Sequence, residues 1–583
     1  MASLEKSAAD RKWMSVRVAA VLLRVVALLG LVYAANELFF LRRVEFLSGK
    51  GHWAVLAAFL VIWVGSLLAM VMAAMQPNWL VRVVWASIFA ISTAASHAFF
   101  NAAGSELSIF DFMSMWTARH EIGRAFDNFH AAGMTAIAWM IFTLIVFVSP
   151  PIPRGTIMRR YLHRLMWVPA VPMVVIAAIV LVKGGNSTST KGLPVQFQPI
   201  ALGLASSAKG IFTTAPKRMA VTWEPGTDRA IRNIVVLVDE SIRADYIDWR
   251  PGNPYTPAMA SHIDRFANFG QAASGGNCSA YSNALLRLGG ERVNPVMSVK
   301  TNPTIWQYAK KAGFRTVYID GQSGQIKSGK KIQNFMTFGE ILDIDRMVTF
   351  DDIPQPELDF EVLDIINEEL SGDAPVFIFA NKNGAHFPYD AGYPADQAVF
   401  LPTVQMSVEA TPEQRVVSYR NVIRWSVDGF FAKMLDQTDL SATAIVYTSD
   451  HGQKLSDRHT HCTSEDPDPR QGLVPLLALT GNPELMKRFQ SAAQLNHNRA
   501  THFAIAPTLY ELMGYSVASI EEVYGPTLFH PQDGQVYFTS NDIFGMFRSD
   551  VFRNPIDLNA NYLESYAFPE PAGTLDNSQA MQN

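Results

Sequence analysis

The chain lacks most of the features that would place it at a glance. Only two of its 583 residues are cysteine, so at most one disulfide can form and no cysteine framework holds the fold. It has no internal repeat, no low-complexity tract and no basic run suited to nucleic acid. Charged residues are scarce at 17%, and the formal net charge of -4 gives no basis for steering a polyanion. What is abundant is hydrophobic sequence, 49% of the chain, and it is unevenly spread, with a sharp division near residue 185.

Before that division the chain is built for lipid. Apolar runs fall at 18–36, 53–75, 79–100, 131–149 and 166–182, each near the ~20 residues that cross a hydrocarbon core. These define a membrane domain of five spans over 1–183. Lys6, Arg11, Lys12 and Arg17 precede the first run, and Arg154, Arg159, Arg160 and Arg164 lie between the fourth and fifth. The positive-inside bias makes both clusters cytoplasmic, so everything after the fifth run is expected outside the cytoplasm. Arg42, Arg43 and Lys50, on the opposite side, weaken that orientation without reversing it. No small-residue cleavage site leads from the first run into soluble sequence, so the run is read as retained. Arg24 inside it either faces a protein neighbour or snorkels. The 101–130 connection, with Phe110, Phe112, Met113, Met115, Trp116 and Phe126, reads as a helix lying on the outer leaflet or packed on a globular domain.

Residues 184–228 read as a linker with an interfacial helix that skims the membrane, opening with Gly184-Gly-Asn-Ser-Thr-Ser-Thr-Lys191. Beyond it, over 229–550, β-branched runs at Ile234–Val238, Arg315–Asp320, Val376–Ala380 and Ala444–Tyr447 alternate with helical patterns near 256–268, 304–312, 358–371 and 412–436. That rhythm predicts an α/β domain with a central, mostly parallel sheet covered by helices. About 320 residues can bury such a core without disulfides. Residues 551–583 are left as a C-terminal tail.

Two of these strands end in metal-ligand side chains. Ala444-Ile-Val-Tyr-Thr-Ser runs into Asp450-His451, and Ile234-Val-Val-Leu-Val-Asp runs into Glu240. Carboxyl ends of parallel strands are where such sheets gather chemistry, and carboxylate oxygens with an imidazole suit a divalent cation. Between them lies Gly275-Gly-Asn-Cys278-Ser279-Ala-Tyr281-Ser282-Asn283, a glycine-rich turn entering a helical pattern. A hydroxyl at such a helix start meets backbone N–H groups that favour phosphate, and a bound cation would acidify it.

With these motifs the sequence resembles the membrane-anchored phosphoethanolamine transferases of the alkaline phosphatase and sulfatase superfamily, which modify lipid A and related glycans. Glu240-Ser-Ile-Arg-Ala-Asp245 looks like their Glu-Thr-x-Arg-Ala-Asp, and Ser449-Asp-His-Gly-Gln453 like their Ser-Asp-His-Gly-Glu. Gly384-Ala-His386-Phe-Pro388 resembles Gly-Ser-His-Gly-Pro, and His461 precedes Gln471-Gly-Leu-Val-Pro475 as a family histidine precedes Gln-x-x-Val-Pro. Their Cys-Gly-Thr-x-Thr segment is similar to Cys278-Ser-Ala-Tyr-Ser282, which puts the nucleophile at Ser282. The resemblance implies Glu240, Ser282, Asp450 and His451 as ligands of a divalent metal, zinc or alternatively manganese. It also implies Ser282, His386 and His461 as catalytic residues, with His459 a lesser candidate for the role of His461. Lys327 and Asn283 are the expected substrate-binding residues; Arg243 is expected to brace Glu240 or Asp245, and His502 to cap its helix. Cys278 and Cys462 either bridge across the site or are unrelated buried thiols.

The chemistry so implied is transfer of phosphoethanolamine from a membrane phospholipid, phosphatidylethanolamine, to a lipid A, lipopolysaccharide or other glycan acceptor through a phosphoserine intermediate. Its expected place is a bacterial inner membrane, with the catalytic domain in the periplasm. The family's second cysteine is missing, Leu288 standing there, and Gln453 replaces a glutamate, so the chain reads as a divergent member. A glycerol phosphotransferase acting on phosphatidylglycerol, or an inactive lipid-sensing regulator, would share the fold. A sulfatase would need a proline after the nucleophile position, and Cys278-Ser-Ala-Tyr-Ser282 has none.

Overall fold

A computed structural model describes residues 2–572 apart from 104–105, 118–129, 150–160, 186–188, 213–215, 228, 323–335, 337, 408–409, 457–466 and 548–549. The chain divides into two compact units, Met1–Thr214 with Met546–Arg548 and Ala215–Gly545 with Ser549–Asn583.

Among the described residues of the first unit four helices are long and apolar enough to span a membrane, at Leu22–Gly49, Trp53–Ala74, Trp79–Asn101 and His130–Val148. The fifth expected span is the shorter apolar helix Val168–Val182, opened by prolines at 169 and 172. At 1.5 Å per residue it reaches about 22 Å, short of a ~30 Å hydrocarbon core. The first helix is longer than expected and carries Arg42 and Arg43 within it. Arg24 faces a protein neighbour: its Nη2 donates to the Phe147 carbonyl at 2.9 Å.

The 101–130 connection contains the helix Ile109–Thr117. Its Ile109 and Phe110 pack into the first unit's own core with Phe197 and Leu202. The expected linker contains a helix. Residues 198–212 form a helix, and Phe197, Ala201, Leu202 and Ala205 bury an apolar face in that core. Helical spacing of the buried positions explains why this stretch joins the first unit, moving the boundary from residue 183 to about 214.

The second unit is built on a seven-stranded sheet ordered β2-β7-β6-β1-β5-β3-β4. The strands are β1 Asn233–Asp239, β2 Ala267–Ala273, β3 Arg315–Asp320, β4 Arg346–Thr349, β5 Val376–Asn381, β6 Thr443–Ser449 and β7 Leu473–Thr480. All pairings are parallel except those of β7, which runs against both β6 and β2. Alternation along β1 sends Ile234, Val236 and Val238 into one core and Val235 and Leu237 into the other. Both faces are thus covered, as a parallel sheet requires.

Two expectations fail here. The helix expected over 256–268 stops at Ser261, and Ala267 begins β2; this alanine- and glycine-containing strand is made by its pairing with β7 rather than by intrinsic preference. The tail is not a separate element either. Strand β9, Phe552–Pro555, pairs with β8, Tyr537–Ser540, and Glu564 reaches Arg243.

Candidate active site

Strand register assembles the site. Asp239 of β1 lies opposite Ser449 of β6, so the next residues, Glu240 and Asp450, leave adjacent parallel strands side by side, about 4.8 Å apart. On the other flank Val238 pairs with Asn381 of β5 and Asn381 with Asp320 of β3, which brings the loops after those strands to the same edge. Glycines permit the crowding: Gly384 sits at φ +48°, where a Cβ would fall 2.2 Å from Asp239 Oδ1, and a Cβ on Gly452 would fall 2.1 Å from the Arg470 carbonyl oxygen.

Glu240, Asp450 and His451 present ligand atoms that all lie within 4.8 Å of one another, and all three side chains are buried. His451 Nε2 stands 3.4 Å from Glu240 Oε1 and 3.9 Å from Asp450 Oδ2. His451 Nδ1 donates to the Gly452 carbonyl at 2.7 Å, which turns Nε2 toward the carboxylates. Asp450 Oδ1 accepts from the Ser241 and His451 amides at 3.0 and 2.7 Å, whereas Oδ2 is buried without a hydrogen-bond partner among the described residues.

Burial and the neighbouring Glu240 push the Asp450 carboxyl up to about 8. Burial works against charge on His451, yet Asp450 and Glu240 together raise it to about 10. Burial also opposes charge on Glu240, but His451 overcomes it and draws Glu240 below the usual carboxylate range. Two buried carboxylates, one with a vacant oxygen, crowd an imidazole whose second nitrogen is fixed away. A divalent cation satisfies that donor set, replacing the protons that otherwise hold it together.

The serine brought to this cluster is Ser279, not Ser282. Ser279 Oγ lies 3.0 and 3.3 Å from the Glu240 oxygens and 3.2 Å from His451 Nε2. It is the first residue of the helix Ser279–Arg287, which Cys278 precedes in extended conformation. Ser282 is fully buried one turn deeper, and its hydroxyl meets His502 Nδ1 at 3.0 Å. That imidazole also accepts from the Gly275 amide at 2.9 Å, and its Nε2 donates to Thr448 Oγ1 at 2.9 Å. Burial draws His502 down to about 3, so it stays neutral and ties the glycine turn to β6. His502 is therefore a brace inside the domain rather than a helix cap.

The other expected residues divide. His386 follows β5, holds its Nδ1 on the Phe387 carbonyl at 2.8 Å, and is close enough that its charge lowers Glu240. Arg243 makes a two-pronged pair with Asp245 at 3.0 and 2.6 Å and a further one with Glu564 at 2.8 Å, bracing Asp245 as expected. Asn283 is fully buried one helical turn beyond Ser279, with neither amide atom hydrogen-bonded among the described residues. Gln453 donates to the Tyr389 hydroxyl at 2.9 Å. Lys327, His459, His461 and Cys462 lie outside the described residues. Cys278 is disulfide-bonded, and Cys462 is the only other cysteine in the chain.

Two participants were missed in the sequence. Gln322, two residues past β3, donates to Glu240 Oε2 at 3.1 Å and to the Lys382 carbonyl at 2.8 Å. Lys382, just past β5, is fully buried, with Nζ 2.7 Å from Asp239 Oδ2, 2.6 Å from the Ser426 carbonyl and 3.7 Å from Asp359 Oδ2. Asp359 in turn accepts the Asn383 and Gly384 amides at 2.7 and 3.1 Å. This clamp joins the ends of β1 and β5, and so fixes Glu240 relative to the His386 loop. Its sequence signal was the strand-end position itself, which Gln322 and Lys382 share with Glu240 and Asp450.

The chain is similar to known proteins over parts of its length. Residues 232–515 match the family described as Sulfatase. Phosphatidylethanolamine transferase Mcr-2 of Escherichia coli is 23% identical over 330 residues, a match covering 52% of this chain and 57% of that relative's length. Among solved structures, the integral membrane lipooligosaccharide phosphoethanolamine transferase A, EptA, of Neisseria meningitidis superposes with a TM-score of 0.59 at 16% identity, covering 86% of this chain and 98% of that one. The zinc-bound periplasmic domain of EptC from Escherichia coli gives a TM-score of 0.45 at 17% identity, over 61% of this chain and 100% of that domain. The likeness over 232–515 is thus to the Sulfatase family. The likeness to EptA is one of fold, apolar N-terminal helices followed by an α/β domain.

Proposed function

We propose that this protein transfers a phosphoethanolamine group from a phospholipid, phosphatidylethanolamine, to a lipid A or other glycan acceptor of the bacterial envelope, with Ser279 as the nucleophile. The observation that carries this reading is the Ser279 hydroxyl at 3.0 Å from Glu240 and 3.2 Å from His451, at the start of a helix and at the carboxyl edge of the sheet. The likeness to Mcr-2 supports the choice of transferred group.

Glu240, Asp450 and His451 would hold the cation, zinc by their chemistry, with Ser279 beside them. Bound there, such a cation lowers the pKa of an adjoining hydroxyl and offsets charge on the phosphoryl group. The Ser279 oxygen attacks phosphorus, the bond to the glycerol oxygen breaks, and diacylglycerol leaves with a proton, giving a phosphodiester on Ser279. An acceptor hydroxyl then attacks the same phosphorus, loses its proton and returns Ser279 to its starting state. His386, with Nδ1 committed to Phe387, keeps Nε2 for one of these protons; His461 is the second candidate. The helix N-terminus contributes amide dipoles to the phosphoryl oxygens. Residence in an inner membrane, with this domain in the periplasm, puts donor and nucleophile on one side.

Mass spectrometry of membrane lipids and envelope glycans from cells with and without the protein tests the reading. A phosphoethanolamine mass increment on an acceptor, with diacylglycerol released, is the expected result. A phosphoglycerol increment would replace the donor, and no increment on any envelope component would reject transfer.

A further inference from the structure

Ser241 lies directly after Glu240 and takes a backbone that serine rarely adopts. Its φ is +61°, in the left-handed region where a Cβ crowds the following carbonyl and glycine is the usual occupant. It is 4% exposed, between the buried Glu240 and Ile242, so the turn is made inside the domain where β1 ends and not in a solvent loop. The turn is held on both sides. The Tyr419 hydroxyl donates to the Ser241 carbonyl at 2.6 Å and accepts the Arg243 amide at 2.9 Å, while the Ile242 amide donates to Ser449 Oγ at 2.7 Å. What serine adds to such a turn over glycine is a hydroxyl.

That hydroxyl and the residue's own amide go to two different carboxyl groups. Ser241 Oγ donates to Glu240 Oε1 at 2.6 Å, and the Ser241 amide donates to Asp450 Oδ1 at 3.0 Å. On Glu240 the other oxygen, Oε2, accepts from Gln322 Nε2 at 3.1 Å. With a donor on each oxygen, the Glu240 carboxyl plane cannot rotate without losing a hydrogen bond. Asp450 is held through Oδ1 by the Ser241 and His451 amides, which turns toward the cluster an Oδ2 without a hydrogen-bond partner among the described residues. One residue thus fixes two carboxyl groups that come from different strands. A cation meeting mobile carboxyl groups must order them on arrival, whereas groups already fixed meet it aligned.

We propose that Ser241 is a positioning residue for a divalent cation, its hydroxyl and amide presetting Glu240 and Asp450 as a pair. The inference rests on the reading of Glu240, Asp450 and His451 as the residues that hold the cation. Its own content is that the hydroxyl, and not the shape of the turn, supplies part of the affinity. Groups that orient metal ligands from behind typically contribute roughly 10–100-fold to metal affinity. The role is read by cation binding and not by activity, so it stands apart from the choice of substrate.

The test is calorimetric titration of zinc chloride into the metal-stripped, full-length protein in detergent, comparing the wild type with Ser241→Gly, Ser241→Ala and Glu240→Gln. Glycine suits the left-handed turn and alanine keeps the Cβ that serine has, so the two Ser241 variants share only the loss of the hydroxyl. The expected result is zinc uptake by the wild type, an affinity lower by roughly 10–100-fold in both Ser241 variants, and a larger loss in Glu240→Gln. Chemical denaturation of the metal-free proteins checks that they fold, and Ser241→Gly carries the comparison if Ser241→Ala does not. Unchanged affinity in Ser241→Gly, with affinity lost in Glu240→Gln, would overturn the role of Ser241 and leave the cluster standing. Unchanged affinity in Glu240→Gln, or no zinc uptake by the wild type, would overturn the cluster reading and this inference with it.

Discussion

Asp239 and Glu240 are neighbours in sequence, both buried at the end of β1, and their surroundings are opposite. Asp239 is closed off: Lys382 Nζ at 2.7 Å and the Tyr447 hydroxyl at 3.0 Å both serve its Oδ2. Glu240 faces a cluster left open, with a second carboxylate, an imidazole, the Ser279 hydroxyl and an Asp450 oxygen that has no hydrogen-bond partner among the described residues. A buried charge that holds a fold is saturated by fixed partners, because any unmet valence in a low-dielectric interior is costly. A buried charge that serves chemistry keeps room for a group that comes and goes. The same contrast separates the two serines of one helix, Ser282 bonded to a neutral His502 and Ser279 at the open cluster.

The largest effect should come from the open side. Ser279→Ala is expected to lower phosphoryl transfer by on the order of 10⁴-fold or more, the scale seen when a nucleophile is removed, measured as transferred phosphoethanolamine per enzyme. Normal turnover in that variant would refute the nucleophile assignment. On the closed side, Lys382→Met leaves Asp239 and Asp359 facing each other without their cation and should cost about 3–5 kcal/mol of stability. Chemical denaturation of the full-length protein in detergent measures it, and a loss well under 1 kcal/mol would mean that the clamp is not structural.

Next in size is the pH dependence of cation uptake. Without a cation, Asp450 and His451 hold protons up to about 8 and about 10, and both must give them up to act as ligands. Affinity should therefore rise with pH between 6 and 8, by up to about tenfold per pH unit for each proton displaced. Titration calorimetry in buffers of different ionisation enthalpy counts those protons; a pH-independent affinity would show that these groups are not the ligands. The smallest effect is expected for Ser282→Ala, which removes one donor to His502 while the Gly275 amide remains. It should cost about 1 kcal/mol in denaturation and leave transfer within a few-fold of wild type. Loss of transfer comparable to that of Ser279→Ala would return the nucleophile to Ser282.

Much of this was legible because the signals are local. β-branched runs that end in Asp450-His451 and Glu240 mark both the strands and their active edge, and the parallel register needs no long-range information beyond their adjacency. The helix over 256–268 was misread because β2 is held by its partner strand. The placing of the serines was not legible, because family spacing counted from Cys278 points to Ser282, whereas Ser279 opens the helix beside the cluster and Ser282 lies about 4.5 Å further along it, nearly a turn deeper in the domain. Lys382 and Gln322 escaped because a polar residue past a strand looks like loop until its neighbours are in place.

By itself, then, the sequence determined the apolar helices, the alternating α/β domain and the strand-end carboxylates and imidazole, since each is written in runs of a few consecutive residues whose periodicity and endings follow from local physics. The tertiary structure alone decided which serine meets them, which buried aspartate is neutralised by Lys382, and that residues 198–212 and 552–572 belong to the packed units. Those outcomes depend on which surfaces meet, and burial makes a pairing energetically decisive only after distant segments have been brought together.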